Sequence, residues 1–573
     1  MTTNAELARR VSELADLMAL AGASVQRVSH YRRAATVIRR FHHPLAELIS
    51  GGADLTGVPG IGKGLAGFLD DLVRRGASPR LQGYRDRIPA GLVEVMRLNG
   101  VGASRARTLG QAGVDSVARL EEALRARTLH RLDGFGPAVV SRLRRSLAAR
   151  RALLGKSLLA DADRAADRVV AALEGAGLEV RVAGDIRRRV EIVERVDIVC
   201  AGSPEELWDA AEASLPERPA GKRGDNPIRL ALDGVSVRIV ASPAEVVDQV
   251  AHHLTGPPAY IAALAARARS LGFELTPTGV RRDTASGAAA VEGGGEPAIY
   301  DALGLPWIAP ELRRDAETLE RTEAGLPSLV RHRDIRGDLH MHTTWSDGAA
   351  TLRRMVEAAA RAGYGYVAIT DHSPSTGVPG GLDAAALRAQ AAEIAGVQRD
   401  FPDTRILRGC EVDILPDGSL DLEDEVLAEL DLVLVSVHSA LDMTESRMTA
   451  RIIKAMRNPL VHVLCHPTGR RLGRRPACPV DMPELLRAAA RFDVAVEVNG
   501  MPQRLDIDHR GLWLCRELGV KVVVSSDAHS VAGLGNMRWG VDQARRGWLQ
   551  ASDILNTRRF GEVRAWIGQR RGS

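Results

Sequence analysis

The chain has 573 residues, 45% of them hydrophobic and only 3% aromatic, with a formal net charge of +5. This length exceeds what one hydrophobic core serves, so several domains are expected. No run of about 18 apolar residues occurs, so no membrane-spanning helix is expected.

The charge is uneven. Residues 1–150 carry 24 Lys and Arg against 13 Asp and Glu, a surplus of 11, which leaves −6 for the remainder. That suits a polyanion-binding front half joined to a carboxylate-bearing enzyme, or equally Arg-rich helices with solvated faces. The opening MTTNAELARRVSELADLMAL reads as an amphipathic helix without the apolar core and cleavage site of a signal peptide. Five cysteines are scattered with no CxxC pair. Both features fit a cytoplasmic protein in a reducing compartment.

Residues 1 to about 150 read as helices joined by glycine turns of one pattern. LTGVPGIGKGLAGFL carries Gly57, Gly60, Gly62 and Lys63, VMRLNGVGASRARTL carries Gly100 and Gly102, and LHRLDGFGPAVVSRL carries Gly134 and Gly136. Each resembles a helix–hairpin–helix element. Glycine permits the tight turn and the close approach of a phosphate, and the following helix N-terminus offers free N–H groups. Such contacts hold a DNA backbone without reading its sequence. A plain αα-turn with a glycine cap is the other reading, and it weighs more for the second and third copies.

Residues 151–245 switch to mixed α/β. LEVRVAGDIRRRVEIVERVDIVCAG reads as strand, turn, strand, and IRLALDGVSVRIVAS as a hairpin around Asp233-Gly234. Residues 246–320 read as helices and turns, followed by a linker. From about 334, strands and helices alternate to the end, as in a barrel.

This last stretch carries nine metal-donor side chains, each where a strand is expected to end. His340, His342 and Asp347 lie in DLHMHTTWSDG, His372 in VAITDHS, Glu411 in LRGCEVD, His438 in LVLVSVHS, His466 in VHVLCHP, and Asp527 and His529 in VVVSSDAHS. Strand ends of such a barrel converge on one face. Six imidazoles and three carboxylates there describe a multinuclear site for hydrolysis at phosphorus. Asp371, Asp413, Glu497 and Asn499 are expected to support them. His462 reads as a core residue and His509 as a surface one. The arginines of GRRLGRRPA could guide a DNA strand or form a solvated loop.

In this order the pieces resemble a bacterial family X DNA polymerase with a C-terminal polymerase-and-histidinol-phosphatase (PHP) domain. The resemblance implies a multidomain chain: α-helical N-terminal helix–hairpin–helix domains, an α/β nucleotidyltransferase palm with a helical thumb, and a C-terminal distorted TIM-like β/α PHP barrel. The implied boundaries are 1–85 for DNA-end binding, 86–150 for a fingers-like domain, 151–245 for the palm, 246–332 for the thumb and linker, and 333–573 for the barrel. It further implies DNA repair on gapped or 3′-ended DNA, as a monomer acting at the nucleoid. Two or three ions per barrel (Zn, Mn or Fe) would be divided as His340, His342, Glu411 and Asp527; Glu411, His438 and His466; and Asp347, His372 and His529. Glu411, Asp527, His340 and His342 would activate the attacking water.

The palm departs from the family pattern. Gly184-Asp185-Ile186-Arg187-Arg188 has Asp185 where a phosphate-binding Ser belongs; Arg195 and Arg238 stand where catalytic Asp residues belong, leaving Asp197. A guanidinium cannot discharge in a protein. Two such reversals, each worth about 4 kcal/mol at 4 Å and an effective dielectric near 20, argue against Mg²⁺ binding and against polymerase activity. The expected function is therefore a DNA 3′–5′ exonuclease or 3′-end phosphoesterase. A still-active gap-filling polymerase, a histidinol-phosphatase-like enzyme and a non-catalytic DNA-end scaffold remain as alternatives.

Overall fold

Side-chain caps and glycine turns organise the front of the chain. The computed structural model describes residues 3–39, 41, 43–58, 60–284, 287–290, 294–323, 325–376 and 380–571, and the chain divides into two units, Met1–Arg151 and Ala152–Ser573.

In the first unit the described residues form helices only. Thr3 caps the opening helix Asn4–Leu20 by accepting from the Glu6 amide. Its apolar face joins one core containing Leu7, Leu14, Phe68, Leu109 and Phe135. Asp16, buried in that helix, accepts from Arg32 (2.9 Å) and Arg97 (2.7 Å), which neutralise it. In the first glycine turn Gly60 takes a φ of +87°, and Gly62 starts the helix Lys63–Arg75. In the second, Gly100 takes +92° and the helix Gly102–Gln111 follows. Such φ values are strained for any residue with a Cβ. Gly57, Gly60, Gly62, Lys63 and Gly102 are exposed, and Gly100 is half-buried.

In the second unit a four-stranded sheet follows the helix Leu159–Gly175. Its strands are β1 (Val180–Ala183), β2 (Val196–Ala201), β3 (Ile228–Leu232) and β4 (Val235–Ser242), in the order β1-β2-β4-β3. β2 and β4 are parallel, with Asp197 opposite Arg238. Asp233 (φ 51°) and Gly234 (φ 83°) close the β3–β4 hairpin with both central residues left-handed, as the Asp-Gly pair requires.

The thumb region differs from expectation. Beside its helices Val247–Thr255 and Pro258–Ser270, it holds a three-stranded antiparallel sheet, Phe273–Thr276, Gly279–Thr284 and Gly287–Ala290. Its first two strands are short and only partly buried, so they lack the apolar runs that mark buried strands.

The C-terminal part has seven parallel strands pairing in sequence order: β5 (Gly337–Met341), β6 (Tyr366–Ile369), β7 (Arg405–Asp413), β8 (Leu432–Ser436), β9 (Val463–Leu464), β10 (Ala495–Asn499) and β11 (Val522–Ser525). Just past its end, β11 returns to β5 through one bridge, Met341 to Ala528, with the His342 amide donating to the Ala528 carbonyl at 2.9 Å. The barrel is thus nearly closed. The strands are buried almost throughout, which explains their β-branched runs. Helices such as Leu352–Arg361, Glu445–Met456 and Met537–Arg546 alternate with them.

The palm leans on this barrel. Leu505 and Trp539 from the barrel enter the palm's apolar core. Arg470 donates to Glu191 (2.7 Å), Gln543 to the Arg189 carbonyl (3.0 Å) and Arg546 to the Arg188 carbonyl (2.8 Å).

Candidate functional site

All nine donors lie in the last residues of a barrel strand or in the loop just after it. Parallel strands all point their C-terminal ends the same way, so the side chains meet above the barrel mouth. Glu411, in β7, sits at the centre. Its Oε2 lies 3.3 Å from His340 Nε2, 3.5 Å from His342 Nε2 and 3.0 Å from His372 Nδ1. Its Oε1 lies 2.8 Å from His466 Nε2 and 3.5 Å from His438 Nε2. Asp527 Oδ1 lies 3.4 Å from both His342 Nε2 and His529 Nδ1. Asp347 lies 3.3 Å from His529 Nε2 and 3.6 Å from His372 Nε2.

The grouping differs in detail from the division the family pattern implies. His372 touches both Glu411 and Asp347, and His342 groups with Asp347, His372 and His529 as well as with His340 and Asp527. The donors therefore form one continuous cluster.

The backbone is strained at two of these residues. His466 has a φ of 29° and Asp527 of 50°, a region that non-glycine residues rarely adopt. Such strain persists where surrounding structure enforces it.

Burial and charge act against each other here. Burial opposes ionisation of Glu411, yet His372, His340 and His438 hold its carboxyl well below the usual range. Burial also lowers His342 to about 4, with His529 and His372 adding repulsion, and burial beside Arg504 lowers His466 to about 4. Burial works to discharge His529 too, but Asp347 and Asp527 outweigh it and raise this imidazole to about 9.

A metal's fit can be judged from atoms without partners. His340 Nε2, both ring nitrogens of His342, His372 Nδ1 and Glu411 Oε1 are buried with no hydrogen bond. Buried polar atoms are normally satisfied. Imidazole nitrogens and carboxylate oxygens so placed fit divalent ions such as Zn, Mn or Fe.

Supporting residues orient the donors. Glu497 Oε1 lies 2.6 Å from His340 Nδ1, and Glu497 Oε2 accepts from the His466 amide at 2.8 Å. Asn499 donates to Asp527 (3.0 Å) and Glu497 (3.1 Å). Asp413 lies 3.4 Å from His438 Nδ1. Asp371 instead orders the loop after His342, accepting from Thr343, Ser346 and Gln390.

Two neighbours escaped the sequence reading. Arg504 is 4% exposed, its Nε lies 3.5 Å from Asp527, and Cys465 adjoins His340 and Glu497. Cys465 directly precedes His466 in VHVLCHP, a position that could have marked it, whereas Arg504 stands outside the quoted motifs and no sequence signal marks it. His462 is a core residue, accepting from the Val433 amide at 3.0 Å. His509, expected at the surface, is half-buried against Arg546 and Arg314. In GRRLGRRPA, Arg470 and Arg475 are tied to backbone carbonyls and Glu191, which leaves neither as a loose guide for DNA.

The palm centre is built oppositely. Asp197 is 5% exposed, and its Oδ1 accepts from Arg238 Nε at 2.6 Å and from Arg195 Nε at 3.0 Å. Arg195 lies two residues before Asp197 and Arg238 lies opposite it on β4, so strand geometry puts all three on one face. Gly184 packs its backbone against Asp197, with no room for a Cβ. Asp185 is held by Arg188. The other nearby acids are also engaged: Glu191 by Arg470, Glu194 by Arg195 at 3.7 Å and Asp233 by Arg168.

Comparison with known proteins agrees with this architecture. Residues 2–78 match the helix-hairpin-helix domain, 92–149 the SAM-like helix-hairpin-helix tandem, 250–314 the DNA polymerase beta thumb and 338–471 the PHP domain. Helix–hairpin–helix and polymerase-thumb domains imply DNA binding. The chain is 33% identical to the DNA polymerase/3'-5' exonuclease PolX of Bacillus subtilis (strain 168), covering 98% of this chain and 99% of that protein. Over 230 residues it is 30% identical to a probable phosphatase of Syntrophotalea carbinolica (38% of this chain, 90% of the relative). It is also 31% identical to one of Caldanaerobacter subterraneus (41% and 91%).

Proposed function

The chain belongs to the bacterial family X DNA polymerases with a C-terminal PHP domain, and within that family we propose that it is a metal-dependent DNA 3′–5′ exonuclease or 3′-end phosphoesterase whose nucleotidyl-transfer centre is inactive. The observation that carries this reading is the contrast between Glu411, ringed by five imidazoles, and Asp197, covered by two guanidiniums.

Two or three divalent ions (Zn, Mn or Fe) held by His340, His342, Asp347, His372, Glu411, His438, His466, Asp527 and His529 would, when bound, supply Lewis acidity toward a phosphodiester and lower the pKa of a water. The chain's own residues prepare for this. Glu497 engages His340 Nδ1, which turns Nε2 toward Glu411. Asn499 fixes the outer oxygen of Asp527 and leaves Oδ1 facing His342 and His529. Glu411, Asp527, His340 and His342 are the residues we assign to activating the water. Burial of the cluster strengthens every charge interaction at the scissile group.

In the palm, Arg195 and Arg238 occupy the Asp197 carboxylate, so Mg²⁺ would have to displace two fixed cations. Primer activation requires acidic groups there. DNA, gapped or 3′-ended and bound without regard to sequence, would be held by the glycine turns at Gly57, Gly60, Gly62 and Lys63 and at Gly100 and Gly102. The protein would act as a monomer in the cytoplasm, at the nucleoid. A small-molecule phosphatase is the second reading, favoured by the probable phosphatases that match about two fifths of the chain. The surplus of 11 positive charges in residues 1–150 weighs against it.

The deciding experiment incubates the protein with Mn²⁺ and a 5′-labelled gapped duplex, with and without nucleotides. Shortening that vanishes in His342→Ala supports the proposal. Templated extension overturns the inactive palm, and turnover confined to small phosphate esters overturns the exonuclease.

A further inference from the structure

A second positively charged site lies away from the nine donors. A cavity of about 550 Å³ opens where the palm, the thumb and the barrel helix His509–Glu517 meet. Six arginines line it. Three are matched by acids: Arg188 by Asp185, Arg313 by Glu296 and Arg321 by Glu317. The other three, Arg314, Arg510 and Arg546, have no carboxylate within 4.0 Å among the described residues. Arg546 is 5% exposed, and its Nε has no partner; neither has Arg314 Nε or His509 Nδ1.

Two acids in the wall, Asp315 and Glu317, offset only part of this charge, with Asp315 acting on Arg314. Asp315 is engaged with Thr318, and Glu317 is spent on Arg321. Asp185 and Asp197 do not line the cavity. A cluster of guanidiniums, one of them buried, with N–H groups left over is a site built for an anion, and their planar forks suit phosphate oxygens. Trp513 adds an aromatic wall with Arg321 stacked 4.2 Å from its ring centre. A cavity of this size lies within the ordinary range for a small-molecule ligand.

We propose that this cleft binds the phosphate of a nucleotide, with Arg314, Arg510 and Arg546 as its cationic contacts and Trp513 beside the base or sugar. The choice of a nucleotide over other phosphate esters rests on the DNA-directed reading above. The ligand is either a free nucleotide or one residue of a DNA strand, and the same chemistry recognises both.

The test uses the full chain in EDTA, so that it does not depend on the barrel's metals or on nuclease activity. Binding of a labelled single-stranded oligodeoxynucleotide and of deoxyadenosine triphosphate is compared between wild type and the Arg314→Glu/Arg510→Glu variant. Arg487→Glu/Arg564→Glu, at exposed positions outside the cleft, controls for net charge. Binding of at least one probe should weaken about tenfold in the cleft variant and not in the control. For the strand, the slope of log affinity against log salt should become shallower by about 1.4 for two lost contacts. Loss confined to the strand identifies a nucleotide within DNA, and loss confined to the triphosphate identifies a free nucleotide. Unchanged binding of both probes overturns the site. Inorganic phosphate competing as well as the triphosphate overturns the nucleotide assignment. If the double reversal fails to fold, Arg314→Gln/Arg510→Gln is measured in the same way. A barrel shown to lack nuclease activity would leave this EDTA measurement intact.

Discussion

The palm and the barrel each place carboxylates at the ends of parallel strands, but they surround them with different bases. Around Glu411 the neighbours are imidazoles, which can release a proton and offer a lone pair. Around Asp197 they are guanidiniums, which can do neither. Both carboxylates are buried and both are neutralised. Only the imidazole cluster can exchange its protons for a metal ion. The lesson is that the titratability of its partners decides whether a buried carboxylate is a cation site or a structural ion pair.

The largest effect that would sharpen this contrast is loss of the central carboxylate. Glu411→Gln should bring metal content and nuclease activity below detection, measured by elemental analysis and by release of labelled nucleotide. Glu497→Gln, which disturbs only the orientation of His340, should cost about 10- to 100-fold in activity or metal affinity. Equal losses in the two variants would break the distinction between donor and support.

In the palm the expectation concerns stability. Arg238→Ala leaves Asp197 buried with half its compensation, so the fold should lose about 3 kcal/mol in urea denaturation. Primer extension should stay absent in this variant. A stable Arg238→Ala protein that gained Mg²⁺-dependent synthesis would show that one guanidinium alone blocks the centre.

Glu191→Gln tests how firmly the palm is held to the barrel. Arg470 would lose the charge partner it has in Glu191, and about 2 kcal/mol should disappear from the second unit.

The last effect depends on pH. Burial raises Asp542 to about 6, with Arg189 opposing and Glu311 and Asp163 adding to the rise. The folded state then holds this proton more tightly than the unfolded chain. Its contribution is intact below about pH 4 and declines as pH rises through 6. Asp542→Asn should remove that decline, so the variant should gain stability on wild type as pH rises from 4 to 7, read from melting temperatures. An identical pH profile in the two proteins would remove Asp542 from the account.

Much of the architecture was legible in the residues because it depends on local chemistry. The Asp233-Gly234 hairpin, the glycine turns and the β-branched runs ending in His or Asp each follow from backbone preference or from alternation of buried strands. The gathering of the nine donors could be read in the same way, since parallel strands expose their ends on one face. The pairing of Arg195 and Arg238 with Asp197 needed the register of β2 against β4, which is a long-range property. Arg504 reaches Asp527 only once the neighbouring barrel strands β10 and β11 have paired, and Arg314, Arg510 and Arg546 reach one cavity only after palm, thumb and barrel have packed together. No spacing along a chain encodes such meetings, because the contacts join segments whose distance apart is set by how whole domains fit.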